Sequence, residues 1–303
     1  MKIGILTLRL FKNYGGILQN YALSRFLQKN GYDVETINIV WSYQLNGVKK
    51  YFVWLKRLVR NMLIGKWYSL DEEKILRNNE LVAAQRVNAF KEKNIPLSQK
   101  VYSLPGADFS DISNKYDTII VGSDQVWRPK YTGGIEKYFL SFADNRIKKI
   151  AYSASFGTDK NEYSFYEKWV CGKLIKRFDA ISVREESAIS LIREQLHWDV
   201  DVIQTLDPTM LLDITDYKSL VGQVVNNNKI FVYILDSSVQ KISFVEKLEK
   251  VLCMPGFTIT PKGMDNKSAY VMPPVETWLR ALLESEFVFT AVSYTHLRAH
   301  ETD

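Results

Sequence analysis

Apolar residues recur along this chain in two alternating rhythms, short continuous runs and helical spacings. Residues 2–8 form the first run and read as a strand. A loop at 9–14 leads through Gly15-Gly16 to Ile17, Leu18, Tyr21, Ala22 and Leu27. Those positions recur near a 3.6-residue period and predict a helix. Asn30-Gly31 supplies its stop. Residues 34–40 alternate as a second strand. Strand, helix, strand in this order predicts a βαβ opening and a parallel sheet.

The same rhythm returns downstream. Strands are predicted at 118–121, 149–153, 178–183 and 200–205, with helices at 71–93, at 162–177 and from Arg184 onward. Residues 95–111, with Pro96, Pro105 and Gly106, read as loop, and polar 222–228 reads as a linker. A fresh strand at 229–235 comes next, then helices at 239–252 and 274–284 and a last strand at 287–290. The expectation is an α/β fold with mostly parallel sheets, divided into domains at 1–221 and 222–291.

Four strands run into polar loops, at 13–16, 123–127, 153–157 and 182–187. Open parallel sheets bind ligands beyond the carboxyl ends of their strands, so four converging loops predict a cleft. The clearest stretch is Tyr116-Asp117-Thr118-Ile119-Ile120-Val121-Gly122-Ser123-Asp124-Gln125-Val126-Trp127. An apolar strand stops there at a glycine and hands over to hydrogen-bonding groups and an aromatic. Asp124 is a candidate base or hydroxyl-orienting group, or it caps an Asx turn. Gly15-Gly16 at a helix start offers N–H groups to an anion, or makes a tight turn. It is neither a dinucleotide nor a Walker fingerprint. Arg184, just past a buried strand, suits two-point holding of phosphate or carboxylate, or pairs with Glu185 or an aspartate. Asp207-Pro208-Thr209 fits a carboxylate that accepts N–H bonds before a proline turn.

Composition narrows the class. With 46% apolar and 24% charged residues the chain reads as soluble and globular. No stretch approaches the ~20 uncharged apolar residues of a membrane span, and the N-terminus lacks a signal-peptide layout. Cys171 and Cys253 form neither a disulfide framework nor a metal pattern, and fit a reducing cytoplasm. The net charge of +6 is spread out, without a nucleic-acid module. Residues 49–68 are basic and aromatic. They are amphipathic enough to lie on an anionic membrane, or they pack on their own domain. His197, beside Trp198, reads as a surface histidine.

The end of the chain stands apart. Val292-Ser293-Tyr294-Thr295-His296-Leu297-Arg298-Ala299-His300-Glu301-Thr302 resembles the translation of a transposon-end adapter used in sequencing libraries, with Asp303 encoded just beyond the adapter. Residues 292–303 therefore carry no weight in the reading of fold or function, as a fusion scar would not. His296 and His300, four apart, would otherwise suggest a metal pair on one helical face.

Taken in order, these loops resemble the polysaccharide pyruvyl transferase family. The resemblance rests on Asn13-Tyr14-Gly15-Gly16 with Gln19 and Tyr21-Ala22-Leu23, on Tyr116 through Trp127, and on Lys149-Ile150-Ala151-Tyr152-Ser153-Ala154-Ser155-Phe156-Gly157. It continues in Ile181-Ser182-Val183-Arg184-Glu185 and Leu206-Asp207-Pro208-Thr209-Met210-Leu211-Leu212, and covers about residues 1–290. It implies a GT-B-like architecture of two Rossmann-like domains facing across a cleft, the second incomplete here. It implies transfer of a pyruvyl group from phosphoenolpyruvate to sugar hydroxyls, forming a ketal on a cell-surface or exopolysaccharide. The acceptor would be a saccharide or lipid-linked saccharide, met in the cytoplasm, with peripheral association at the inner face of the membrane left open. No nucleic acid, metal or organic cofactor is implied.

On this resemblance Asp124 and Arg184 are the expected catalytic residues. Asn13, Tyr14, Gly15, Gly16, Ser123, Gln125, Trp127, Ser155 and Glu185 are the expected substrate contacts. The family places a Ser-Phe-His-Gly segment after a strand of the second domain. Here the strand at 287–290 is followed by Ala291 and the adapter-like residues. The expectation is little turnover by this polypeptide and full turnover by the whole gene product. Rival readings are a GT-B glycosyltransferase using a nucleotide sugar and a non-catalytic glycan-binding protein of a polysaccharide assembly system.

Overall fold

Strands that are apolar on both faces need cover on both sides, which a parallel sheet with crossover helices supplies. A computed structural model describes residues 1–11, 13–41, 72–103, 109, 112, 114–234, 238–259 and 271–291. The segments at 49–68 and 292–303 and part of the expected loop at 95–111 lie outside the described residues.

The main sheet is built from β1 (Lys2–Leu6), β2 (Asp33–Thr36), β5 (Thr118–Val121), β6 (Lys148–Ala154), β7 (Ala180–Val183) and β8 (Ile203–Gln204). Their order is β2-β1-β5-β6-β7-β8, and each neighbouring pair is parallel. The chain therefore steps outward from β1 to β2, returns past β1 to β5, and then continues one way. That reversal, between β1 and β5, is the topological switch point where open α/β sheets leave a crevice.

The expected strand at 34–40 is two strands. β2 stays beside β1, whereas β3 (Ile39–Trp41) pairs in parallel with β4 (Val101–Ser103) in a separate two-stranded sheet. The Asn38 N–H donates to Ser98 Oγ at 3.1 Å and Val101 N–H to the Asn38 carbonyl at 2.9 Å, which draws the chain off the main sheet. β4 lies in a stretch that the sequence reads as loop. The strand expected at 200–205 shrinks to the two residues of β8 at the sheet margin.

Helix α1 (Tyr14–Lys29) ends where Asn30-Gly31 predicted, with Gly31 at φ +82°. Helix α2 (Glu72–Asn94) comes next, then the short turn α3 (Pro129–Thr132) and α4 (Phe165–Ile175). α4 starts with a capping box in which Ser164 and Glu167 satisfy each other's backbone N–H groups. α5 (Glu186–Ser190) and α6 (Ile214–Val221) complete this part. Residues 222–229 are neither helix nor strand.

In a second sheet β9 (Ile230–Ile234) lies between β10 (Gly256–Phe257) and β11 (Phe287–Ala291), all parallel. Its helices are α7 (Val239–Leu252) and α8 (Val275–Glu284). The two parts meet on α1. Ile17, Leu18 and Tyr21 pack with Val87 and Phe90 of α2 and with Met272 and Val275. The Tyr14 ring stacks on Trp278 with centroids 5.5 Å apart, and Tyr14 Oη donates to the Pro273 carbonyl at 2.7 Å.

Gly122 shows why β5 ends where it does. Its φ is +132°, and a Cβ there would run into the Tyr152 carbonyl of the neighbouring strand. Gly122→Ala is expected to cost roughly 2–3 kcal/mol, combining a disfavoured backbone with a steric clash. Urea unfolding of the two proteins checks this, and equal midpoints would refute it.

Candidate active site

The loops after β1, β5, β6 and β7 leave the same sheet edge because those strands are parallel neighbours. They are also bonded to one another. Ser155 N–H donates to the Asp124 carbonyl at 3.0 Å and Trp127 N–H to the Ser155 carbonyl at 3.1 Å.

Asp124 sits at the switch point. Its backbone is left-handed, at φ 60°, a conformation aspartate tolerates better than most residues. Oδ1 accepts the Gln125 N–H at 2.8 Å, and Oδ2 lies 3.5 Å from Asn13 Nδ2. The first turn of α1 closes on it so tightly that a Cβ on Gly16 would lie 3.0 Å from Asp124 Oδ2. Glycine at 16 is thus what admits the carboxylate. Burial pushes the Asp124 pKa above the usual aspartate value; the Gln125 N–H and Arg184 pull it back, and Asp207 adds to the rise.

Arg184 leaves the end of β7 and reaches the same edge. Its NH1 lies 3.5 Å from Asp207 Oδ2, and its Nε lies 3.5 Å from Glu185 Oε2. Asp207 caps the turn after β8 as the sequence suggested, accepting Thr209 N–H at 3.0 Å and Thr209 Oγ1 at 2.8 Å through Oδ1. Its other oxygen does more, accepting from Gln19 Nε2 and facing Arg184. Gln19 Oε1 is buried without a hydrogen-bond partner among the described residues.

The edge therefore gathers Asn13, Gly16, Asp124 and Arg184 from the expected set, with exposed Gly15 beside them. Other expected contacts lie beneath it. Trp127 has 0% exposure; its indole stacks on Phe139 at 5.0 Å and donates to the Tyr138 carbonyl at 3.1 Å. An apolar core fed by Phe139, Phe156 and Phe178 claims this ring, so it does not line the crevice. Tyr14 is buried against Trp278, and Ser123 is buried and donates to the Ser153 carbonyl at 3.3 Å. Ser155 Oγ donates to Glu185 Oε1 at 2.7 Å, and the same oxygen accepts Phe156 N–H at 3.1 Å. Both residues are buried, and their bond braces the loop behind Arg184. Gln125 accepts from Arg128 NH1 at 3.1 Å and packs over Gly157.

Sequence reasoning missed Gln19 and half of Asp207. Their signal was present only as members of the ordered motif set, because neither position stands out locally. It also missed Lys91, whose Nζ donates to the Leu10 carbonyl at 2.6 Å and pins the loop that leads from β1 to α1. Burial, with help from Arg9, lowers the Lys91 pKa to about 8.

Other features stand outside this edge. A depression of about 540 Å³, lined by Tyr21, Arg25, Lys93, Ser219 and Glu276 among others, opens further along α1 and holds none of the edge groups. Among the described residues, no group of three or more His, Cys, Asp or Glu side chains could hold a metal. None of the helices among them is long and apolar enough to cross a membrane. His197 is exposed, as expected, while Cys171 is buried and Cys253 exposed.

Several solved structures are similar to this chain at low identity. An α-glucosyltransferase in complex with UDP and a 13-mer DNA containing an HMU base matches with a TM-score of 0.49 and 13% identity, over 95% of this chain and 71% of that one. An α-glucosyltransferase in complex with UDP matches with a TM-score of 0.46 and 11% identity, over 95% and 72%. No curated protein matches the sequence significantly. The family description that does match is "Polysaccharide pyruvyl transferase", over residues 13–291. With that match spanning nearly the whole chain, and with α/β parallel sheets carrying the matched loops to one edge, the chain belongs to the polysaccharide pyruvyl transferase family.

Proposed function

We propose that this fold carries pyruvyl transfer from phosphoenolpyruvate to a pair of sugar hydroxyls on a polysaccharide or its lipid-linked precursor. In that reaction both hydroxyl oxygens bond to the central enol carbon and its C–O bond to phosphate breaks. The methylene carbon takes up a proton and becomes a methyl group. The products are a cyclic ketal and inorganic phosphate. We further take 1–221 and 222–291 as its two domains.

The observation that carries this reading is Asp124 at the switch point of a chain in this family. Burial raises the Asp124 pKa, which makes it a stronger base than a solvated aspartate, suited to taking the proton of an attacking hydroxyl. Exposed Asn13 adds a neutral amide that can read sugar hydroxyls. Arg184 supplies the cationic donor. Its planar guanidinium, 3.5 Å from Asp207 and from Glu185, has the fork geometry that holds a carboxylate or phosphate in two-point fashion.

The test is phosphate release from phosphoenolpyruvate with candidate glycans. Glycan-dependent release supports the reading. Turnover of UDP-sugars instead, with no release from phosphoenolpyruvate, would overturn it. Arg184→Ala is expected to weaken phosphoenolpyruvate binding on the order of 10–100-fold, the worth of a hydrogen bond to a charged group. Titration calorimetry measures this directly, and unchanged affinity would remove Arg184 from the donor site.

A further inference from the structure

Helix α4 carries a second chemistry on its outer face. Cys171 and Ile175 point inward and are fully buried. At ~100° per residue, Phe165, Tyr166, Trp169, Lys173 and Lys176 fall within one arc of about 100°. Phe165 is 89% exposed, Tyr166 70% and Trp169 54%. A scattered exposed aromatic is ordinary, but three side by side mark a contact surface. Lys173 and Lys176 are also exposed, and Lys173 Nζ lies 3.6 Å from the centre of the Trp169 ring. No carboxylate of the helix shares the arc. Glu167 is on another side, bound into the capping box with Ser164. Glu162, just before the helix, is neutralised by Arg128 at 3.0 Å and Lys130 at 2.8 Å.

Aromatic rings with a polar tip favour the headgroup level of a bilayer, and lysine stems reach past them to lipid phosphates. A helix face whose own side chains are bulky aromatics and lysines is complementary to anionic headgroups. The overall charge of +6 acts in the same direction. We propose that this face of α4 seats the protein on an anionic lipid bilayer. The rings would lie at headgroup level, with Lys173 and Lys176 on the lipid phosphates. The Arg128–Glu162 pair ties the segment just before α4 to the loop after β5. Docking does not depend on the transfer chemistry, and its test reads neither phosphoenolpyruvate nor turnover.

The full chain is sedimented with vesicles of phosphatidylcholine alone and with vesicles that also contain phosphatidylglycerol. Binding is expected only to the anionic vesicles, and added salt should weaken it. Lys173→Gln with Lys176→Gln should weaken binding on the order of 20-fold, from the worth of two lysines near a charged surface. Phe165→Ser with Trp169→Ser should remove at least as much. Thermal midpoints should stay put, because the substituted side chains face solvent. Absence of binding to anionic vesicles overturns the proposal, as does binding that survives both double variants. So does loss of self-association, or of an acidic protein partner, in those variants when the parent chain ignores lipid.

Discussion

Asp124→Asn is expected to lower the proposed pyruvyl transfer by ~10²–10⁴-fold, the usual worth of a positioned general base. The measurement is phosphate release in whichever form of the protein turns over. The substitution keeps shape, and an amide oxygen can still accept the Gln125 N–H that holds the carboxylate at 2.8 Å. What it removes is the capacity to take a proton. A rate within twofold of the parent enzyme would refute the role. The same change should act in the opposite direction on stability. Burial raises the folded pKa of Asp124, so the folded state disfavours its ionised form. Stability from this group is present below the unfolded pKa and is lost as pH rises through the folded value. Asp124→Asn should therefore melt higher than the parent at neutral pH, with the difference narrowing in acid. In the parent, turnover should fall as pH drops through the same raised pKa, because the base becomes protonated.

Trp127→Ala should cost ~3–5 kcal/mol of folding stability. That is a large share of the ~5–15 kcal/mol that holds an ordinary domain together. The ring is fully buried, lies nearly parallel to Phe139 at an interplanar angle of 11°, and satisfies the Tyr138 carbonyl. Truncation opens a cavity and strips that carbonyl of its donor at once. Denaturant midpoints, or soluble yield where the variant fails to fold, report the loss. A variant that kept its midpoint and lost only ligand affinity would return Trp127 to the crevice.

That residue also shows where local reading stops. An aromatic after a polar turn looks the same whether it stacks on a ligand or fills a core. Only Phe139, Phe156 and Phe178, from three other places in the chain, decide the matter. β1, β5 and β7 were legible because each is a mostly apolar run ended by polar residues, and β5 falls at 118–121 as read. The run at 34–40 misled because one apolar pattern serves two sheets, and Ser98, far along the chain, supplies the bond that parts them. Asp207 was half legible. Its cap to Thr209 is two residues away, whereas its bond to Gln19 spans 188 positions. Ser155 and Glu185 are expected ligand contacts on the family resemblance, and the structure has them bonded to each other in the interior.

The uniform strand direction of the main sheet has a practical consequence for handling the molecule. Since every chemically equipped loop leaves one edge, the connections that enter the strands gather at the other. Asp199 and Asp201, exposed just before β8, belong to that far edge. A five-residue strand spans ~17 Å, so a reporter peptide, a surface tether or new chain ends placed at 199–201 would stand a sheet's width from Asp124. The crevice would then remain open to a polymeric acceptor while the protein is held, labelled or permuted from behind.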